Sequence, residues 1–566
     1  MNRLKARLTD SRRLTGANLH WDLPSAIIDV DCPEGRQSLL DAWQSSARSL
    51  LEAVGHPSAQ LTYRYFDGGL SLLISAPIDA LYSMCELNEL AFTTALSSIE
   101  AQRPVNPESG LARLRDEFAA ERKPPLLAMQ AAAARHGVPF LWDDDEVSVG
   151  HGATSCCWPA GGIPDPSAVE WGDIKAIPVA LVTGTNGKST TVRMAATIIA
   201  EAGLAAGLTS TDWIRVGDQV LDTGDYSGTG GARTLLRDSR TQVAVLETAR
   251  GGLLRRGLGV ERASAALITN VAADHLGEYG INTVPELIEA KFIVHRALGP
   301  GAPLILNADD PGIVSHASTI DSDIRWFSLD PSNPVLASGA HGQVIHARLE
   351  DRQLVLHGSS GEKLAVALKD VPATLGGAAR YNISNALGAM LLCDALGIEH
   401  ASIARGLRRF RGDDNDNPGR GNWFEGRGVR VLVDFAHNEH GMRALAQMVL
   451  ALPANRKVVL MGQAGDRSND EIRAMAGAAC SMAPDQVLAC ALPGYERGRP
   501  QSEVQQVIRD SALQSGMRPA QIIDFDSPVE ATQHALEHSA AGDLLVLLAL
   551  TQREEVLELI REFSSG

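Results

Sequence analysis

Ile177-Pro-Val-Ala-Leu-Val-Thr-Gly-Thr-Asn-Gly-Lys-Ser-Thr-Thr191 decides how the rest of the chain is read. An apolar, β-rich run leads into a short loop with two glycines. Val192, Met194, Ala195, Ala196, Ile198 and Ile199 then keep a helical spacing, so the stretch predicts strand, phosphate loop and helix. Gly184 and Gly187 let the backbone curl until successive N–H groups and the helix N-terminus aim at a phosphate. Lys188 adds a cation and Ser189 a hydroxyl that can ligate magnesium, with Thr185, Asn186 and Thr190 in the same loop. A nucleoside triphosphate is the expected guest. The spacing Gly-x-x-Gly-Lys-Ser is two residues shorter than the general phosphate-loop pattern, with Val182 where an outer glycine would sit. The flanking strand and helix are what separate it from an ordinary β–α turn.

Downstream the pattern alternates. Val243–Glu247, Ala265–Asn270 and Leu304–Asn307 are short apolar runs separated by helical segments, which implies an α/β fold with a doubly wound, mostly parallel sheet. In such sheets ligands collect at the carboxyl ends of the strands. Residues 330–375 are richer in β-like runs (Gln343–Leu349, Leu354–His357, Leu364–Leu368) and suggest a small antiparallel excursion. Helices are expected to resume at Asn385–Leu396 and Ile403–Phe410. After the acidic, Asn-rich Asp413–Pro418, the runs Val429–Asp434, Lys457–Met461, Gln486–Cys490 and Asp543–Leu550 predict a smaller, Rossmann-like α/β domain.

Upstream, the Gly/Pro-rich Trp158–Pro166 marks a linker. Ahead of it an α+β domain is expected: a helix through Leu39, Trp43, Leu50 and Val54, a hairpin across Asp67-Gly68-Gly69, a long helix opened by Pro77 and running to about Ile99, and helices at Leu111–Glu121 and Leu126–His136. Asp143-Asp144-Asp145 reads as a solvated turn between two strand-like runs. The expected division is 1–170, 171–417 and 418–566, with the first part selecting substrate or making oligomer contacts.

Composition sets limits on partners. The 566 residues are 45% hydrophobic and 21% charged, ordinary for a globular chain of several domains. Fifty-one basic against 68 acidic residues give a net charge of −17, which argues against a nucleic-acid partner. No stretch approaches the roughly 20 apolar residues of a membrane span, and Met1–Leu8 lacks a signal-peptide core, so a soluble, cytoplasmic protein is expected. Seven scattered cysteines without Cys-x-x-Cys pairs argue against zinc and against a disulfide framework, His151 with Cys156-Cys157 being the one combination to check.

Two strand ends carry chemistry. Glu247 closes one strand just before Thr-Ala-Arg-Gly-Gly252, a suitable place for a magnesium contact. His275 follows the next strand as a metal or phosphate-side candidate. Lys291 lies in the helix predicted over Val284–Leu298, where a surface lysine is the plain alternative.

Together these motifs resemble one family. Val182-Thr-Gly-Thr-Asn-Gly-Lys-Ser-Thr190, Leu246-Glu-Thr-Ala-Arg-Gly-Gly252, Asn270-Val-Ala-Ala-Asp-His-Leu276, Leu306-Asn-Ala-Asp-Asp-Pro311, Tyr381-Asn-Ile-Ser-Asn-Ala386, Pro418-Gly-Arg420, Val433-Asp-Phe-Ala-His-Asn438 and Gly465-Asp-Arg467 stand in the order found in Mur ligases. Within that family the chain is similar to the Mur-like half of the cyanophycin synthetases. The resemblance implies amide bond formation driven by ATP and Mg²⁺, through an acyl phosphate, from a peptide-like carboxylate and an amino acid. It implies that Lys188 neutralises phosphates, that Ser189, Glu247 and His275 organise magnesium, and that Lys291 stands where many members carry a carbamylated lysine. By the same resemblance Asn385 contacts adenine, Asp434 the ribose and Arg420 the phosphates, while His437 and Asn438 face the substrates. Glu496 and Arg497 lie where related ligases recognise the incoming amino acid.

The departures are Tyr381, in place of the usual histidine, and the lack of a counterpart to the ATP-grasp half of cyanophycin synthetase; Val138–Gly152 is faintly similar to the segment leading into it. A separate ATP-grasp enzyme is therefore one expected partner, and a homo-oligomer is open. The alternatives are a simple kinase or NTPase, which leaves the C-terminal motifs unexplained, and a non-catalytic subunit, which leaves Lys188, Glu247 and His275 unexplained.

Overall fold

Val179–Thr183, five consecutive buried residues, is an interior strand, fifth of the eleven in the main sheet of the computed structural model, which describes residues 4–102, 108–337, 345–358 and 361–565. Residues 343 and 344 of the expected strand Gln343–Leu349 lie outside them, as do residues 1–3. The order across the sheet is Gln219–Thr223, Trp213–Val216, Ala206–Thr209, Val243–Glu247, Val179–Thr183, Ala265–Ile268, Leu304–Asn307, Ile324–Ser328, His346–Glu350, Gln353–Gly358 and Gly361–Ala367. Pairing is parallel from Ala206–Thr209 through His346–Glu350 and antiparallel at both margins.

The central strand is apolar throughout because both of its faces are covered. Ala180 and Val182 enter a core with the helices Lys188–Glu201, Arg380–Ala395 and His400–Arg409, while Val179 and Leu181 enter the opposite one with Thr229–Arg237, Arg250–Arg256 and Val284–Phe292. The expected excursion over 330–375 needs correcting. His346–Glu350 joins the main sheet in parallel with Ile324–Ser328, and the two strands after it extend the same sheet. The helix expected to reach Leu298 stops at Phe292 and tightens into a 3-10 turn over Ile293–Ala297.

The C-terminal sheet has six strands in the order Asn422–Gly426, Val429–Asp434, Leu544–Leu548, Lys457–Met461, Gln486–Cys490 and Ile522–Phe525. All but the first are parallel, as expected of a small doubly wound domain.

The N-terminal region is α+β. Arg7–Leu14, Ser25–Asp31, Gly69–Ser75 and Leu61–Phe66 form an antiparallel sheet whose core includes the helices Arg36–Ala53 and Leu81–Ala101. Around Arg7–Leu14 it grips the helix Arg250–Arg256 of the middle domain: Arg12 Nε donates to Leu254 O at 3.0 Å, Thr15 N to Arg256 O at 2.7 Å, and Leu258 N to Ala17 O at 2.7 Å. The acidic turn 143–145 is exposed at Asp144 and Asp145, as expected, and also holds arginines, Asp144 pairing with Arg13 and Asp143 with Arg237, each at 2.6 Å. Among the described residues no helix is long and apolar enough to cross a membrane.

Candidate active site

The carboxyl ends of the middle and C-terminal sheets face each other across one cleft of about 1530 Å³. Single small-molecule sites usually take about 300–1,000 Å³, so this cleft can admit a nucleotide together with other substrates.

The phosphate loop is held before any ligand arrives. Gly184 (φ +144°) and Gly187 (φ +84°) are the residues whose backbone demands glycine. A Cβ on Gly184 would collide with Thr269 Oγ1, and one on Gly187 with Asn385 Oδ1. The neighbouring strand end pins the loop: Thr185 N donates to Asn270 O at 2.8 Å, Asn186 N to Asn270 Oδ1 at 3.0 Å, and Asn270 Nδ2 to Asn186 O at 3.0 Å. Lys188, first residue of its helix, arches back to Thr185 O at 2.9 Å.

Glu247 is 2% exposed, and neither carboxylate oxygen has a hydrogen-bond partner among the described residues. A buried carboxylate without donors is costly unless a cation faces it. Ser189 Oγ lines the same cleft, within 3.4 Å of Thr211 Oγ1. Among the described residues no group of three or more His, Cys, Asp or Glu could hold a metal by itself. The oxygen donors that are present, the unpartnered Glu247 carboxylate and the Ser189 hydroxyl, fit Mg²⁺, a hard cation that takes its remaining ligands from phosphate and water. His275 sits at φ +51°, with its Nε2 3.9 Å from Asp274 and 3.4 Å from Arg467 Nη2. Burial pulls its imidazole below the ordinary range, favouring the neutral ring that a ligand or acceptor requires.

Lys291 is not on the surface. It is 4% exposed and its Nζ donates to Gly184 O at 2.8 Å, under the phosphate loop. Burial, and then the charge of Lys188, hold its ammonium well below the usual lysine range.

The C-terminal wall brings Arg420, Asp434 and His437. Arg420 Nη2 donates at 2.9 Å to Thr211 Oγ1, in the loop after the strand Ala206–Thr209 and 3.4 Å from Ser189 Oγ. Asp434 lines the cleft near Tyr381 and is pushed up to about 6 by burial, the nearby Arg420 opposing the shift. Asp274 is the hub between the domains: Arg467 Nη2 lies 3.1 Å from its Oδ1, and Asn438 Nδ2 and His437 Nε2 lie 3.5 and 3.6 Å from its Oδ2. Asp274 and Arg467 stand in quoted motifs, yet sequence reasoning gave neither a role. It also passed over Arg250, 8% exposed and paired with Glu278, whose Nη1 has no partner among the described residues.

Two expected substrate residues are placed elsewhere. Asn438, expected to face the substrates, is buried as a bridge: it exchanges amide hydrogen bonds of 3.1 and 3.0 Å with Asn186 and caps the helix Glu439–Leu450 through Gly441 N at 2.9 Å. Glu496 accepts from Gly494 N at 3.0 Å within its own turn and does not line the cleft, whereas Arg497 does and pairs with Asp466. The remaining expected residues (Gly184, Thr185, Asn186, Gly187, Lys188, Ser189, Thr190, Glu247, His275, Lys291, Asn385, Arg420, Asp434 and His437) all line it. His151 is buried with both ring nitrogens unpartnered among the described residues, and no metal cluster includes it.

Residues 182–393 match the sequence model of the Mur ligase middle domain and residues 419–549 that of the Mur ligase glutamate ligase domain, together more than half of the chain. The cyanophycin synthetase of Crocosphaera subtropica is 33% identical over 372 residues, 66% of this chain and 42% of the relative. That of Synechocystis sp. is 34% identical over the same shares. The chain thus spans less than half the length of these relatives. The UDP-N-acetylmuramoyl-L-alanyl-D-glutamate–2,6-diaminopimelate ligase of Chlorobaculum tepidum is 26% identical over 65% of this chain and 70% of its own. Among solved structures, E. coli FolC in complex with DHPP and ADP shares the fold at a TM-score of 0.51, with 21% identity over 68% of this chain and 89% of that one.

Proposed function

The chain belongs to the Mur ligase family, and on that premise we propose that it is an ATP-dependent ligase joining a carboxylate to an amino acid amine. The observation that carries this reading is the two-sided cleft, in which the phosphate loop meets Arg420, His437 and Arg467 from a second sheet. A kinase needs no such opposing wall.

In the proposed reaction a substrate carboxylate oxygen attacks the γ-phosphorus of ATP and ADP leaves. The amine then attacks the acyl phosphate carbon, loses a proton and expels phosphate. Lys188 and Arg420 spread the phosphate charge from opposite sides. Ser189, Glu247 and His275 would hold magnesium, which supplies further charge neutralisation when bound. Arg250, with its free Nη1 at the cleft, offers a donor for a carboxylate. Asn385, packed on Gly187, takes the base side and Asp434 the ribose. Closure of residues 418–566 over 171–417 excludes water, so that the acyl phosphate meets an amine. Residues 1–170 would select substrate.

The similarity to cyanophycin synthetases favours an amino acid added to a peptide-like acid, with a separate ATP-grasp enzyme as one partner. A cytoplasmic location suits both ATP and the free cysteines. The test is ADP release from the purified chain against amino acids crossed with short acidic peptides. Release only when both acid and amine are supplied supports the ligase; γ-phosphate label that stays on one product supports a kinase and refutes it.

A further inference from the structure

Beside the phosphate loop lies a charge cluster that the proposed function leaves unexplained. Asp212, 9% exposed at its side chain, follows the strand Ala206–Thr209 and gathers three guanidiniums. Arg193, from the buried face of the phosphate-loop helix, pairs with Oδ2. Arg553 Nη1 donates to Oδ1 at 2.8 Å, and Arg420 Nη2 lies 3.5 Å from Oδ2. Burial alone would raise the Asp212 carboxyl, but Arg420, Arg193 and Arg553 bring it down to about 2, so it is charged at any working pH.

Asp212 offers about four lone-pair sites to three guanidiniums that carry five N–H donors each, so donors outnumber acceptors even though Glu247 also attracts Arg193 and Asp434 attracts Arg420. Asn417 Oδ1 takes one bond from Arg193, at 2.8 Å, and Thr211 takes one from Arg420. The buried Nε of Arg193 and of Arg420 have no partner among the described residues. The cluster keeps N–H donors to spare, and its open side is the cleft, which Thr211, Asp212, Arg420 and Arg553 all line.

The chain also makes room for Arg553 in particular. Gly419 has φ +73°, and a Cβ there would collide with Arg553 Cδ. Glycine in the Pro418-Gly-Arg420 motif thus lets the Arg553 side chain lie along the loop that carries Arg420. The two cations travel on one body: Arg553 opens the helix Arg553–Ser565, and both belong to the C-terminal domain. Their target lies close by, since Thr211 Oγ1, which accepts from Arg420, is 3.4 Å from Ser189 Oγ.

We propose that Arg553 is a second phosphate ligand, delivered together with Arg420 to the terminal phosphates of the nucleotide, with Asp212 as the resting counter-ion of the pair. This rests on the ligase reading above and adds a residue to it.

The test measures dissociation constants of the full chain for β,γ-imido-ATP with Mg²⁺ and for adenosine. Arg553→Gln should weaken imido-ATP tenfold or more while adenosine stays within twofold, and Arg553→Lys should fall between, because it keeps the charge without the fork. Unchanged adenosine binding certifies that the variant's site is folded. An unaltered ratio of imido-ATP to adenosine affinity in Arg553→Gln overturns the proposal. Wild type indifferent to imido-ATP would overturn the ligase reading with it; binding lost in Lys188→Ala yet intact in Arg553→Gln removes only the role of Arg553.

Discussion

Asp274→Asn keeps the size and shape of the side chain and removes its charge, which makes it a clean probe of how the two sheets are held together. The carboxylate is the shared acceptor for Arg467, Asn438 and His437, all from the C-terminal domain, and Asp274 and Arg467 are only 11% and 13% exposed at their side chains. Removing one partner of a buried pair costs about 3–5 kcal/mol, because the other charge is left without its counter-ion. Arg467 keeps Glu471 at 3.1 Å, and the Asn186–Asn438 bridge survives, so about 2 kcal/mol of closure is the expected loss. That is roughly thirtyfold in the ratio of closed to open protein. Steady-state ADP release should fall by about that factor in kcat/KM, and small-angle scattering with imido-ATP should show a larger radius of gyration than wild type. Against burial, which would raise it, His437, then His275 and Arg467, hold the Asp274 carboxyl far below the usual carboxylate range. With a folded pKa so depressed, the contribution is present above the ordinary carboxylate value and is lost only in strong acid, so protonation of Asp274 itself should not weaken closure at mildly acid pH. An Asn variant that closes and turns over like wild type would refute the latch.

Lys188→Ala should abolish turnover while leaving the unfolding temperature within a few degrees of wild type, as read by ADP release and calorimetry. Lys291→Ala should also lose activity, with partial recovery in high acetate or bicarbonate, because a small carboxylate can stand in for that of a carbamate carried on the Lys291 amine; indifference to the substitution would deny Lys291 a part in the reaction. Asp434 is pushed from 3.8 up to about 6, so the folded protein favours its protonated form; that contribution is full below the unfolded value and disappears as pH rises through 6. Asp434→Asn should therefore unfold at a higher temperature than wild type at about pH 8, but not at about pH 4, in thermal scans.

Much of the site was legible because its parts are local. Gly184 to Thr190 announce themselves by a strand before and a helix after, and Glu247 and His275 by lying at or just beyond strand ends, where a parallel sheet exposes its residues. Lys291 was visible as a position but not as a buried amine, since a helical lysine has no local mark for the Gly184 carbonyl it meets 107 residues away. Asp212 and Arg553 were invisible for the same reason, their partnership spanning 341 residues. The strands after Ile324–Ser328 were legible as strands but not as members of the main sheet, because register with a neighbour is a tertiary fact. Asn438 stood in a recognised motif, and only packing shows that its amide is spent on Asn186 and a helix cap.

The clasp between the first strand and the helix Arg250–Arg256 bears on any attempt to trim this protein. A fragment cut to the family-matching segments would strip the backing from that helix, baring the carbonyls of Leu254 and Arg256 and the amide of Leu258. The stretch just after Glu247 would then fray, and the magnesium-side wall with it. The family-matching part is thus not a portable module: the N-terminal third braces the floor of the cleft, and a truncated chain is expected to bind nucleotide loosely before it fails to fold.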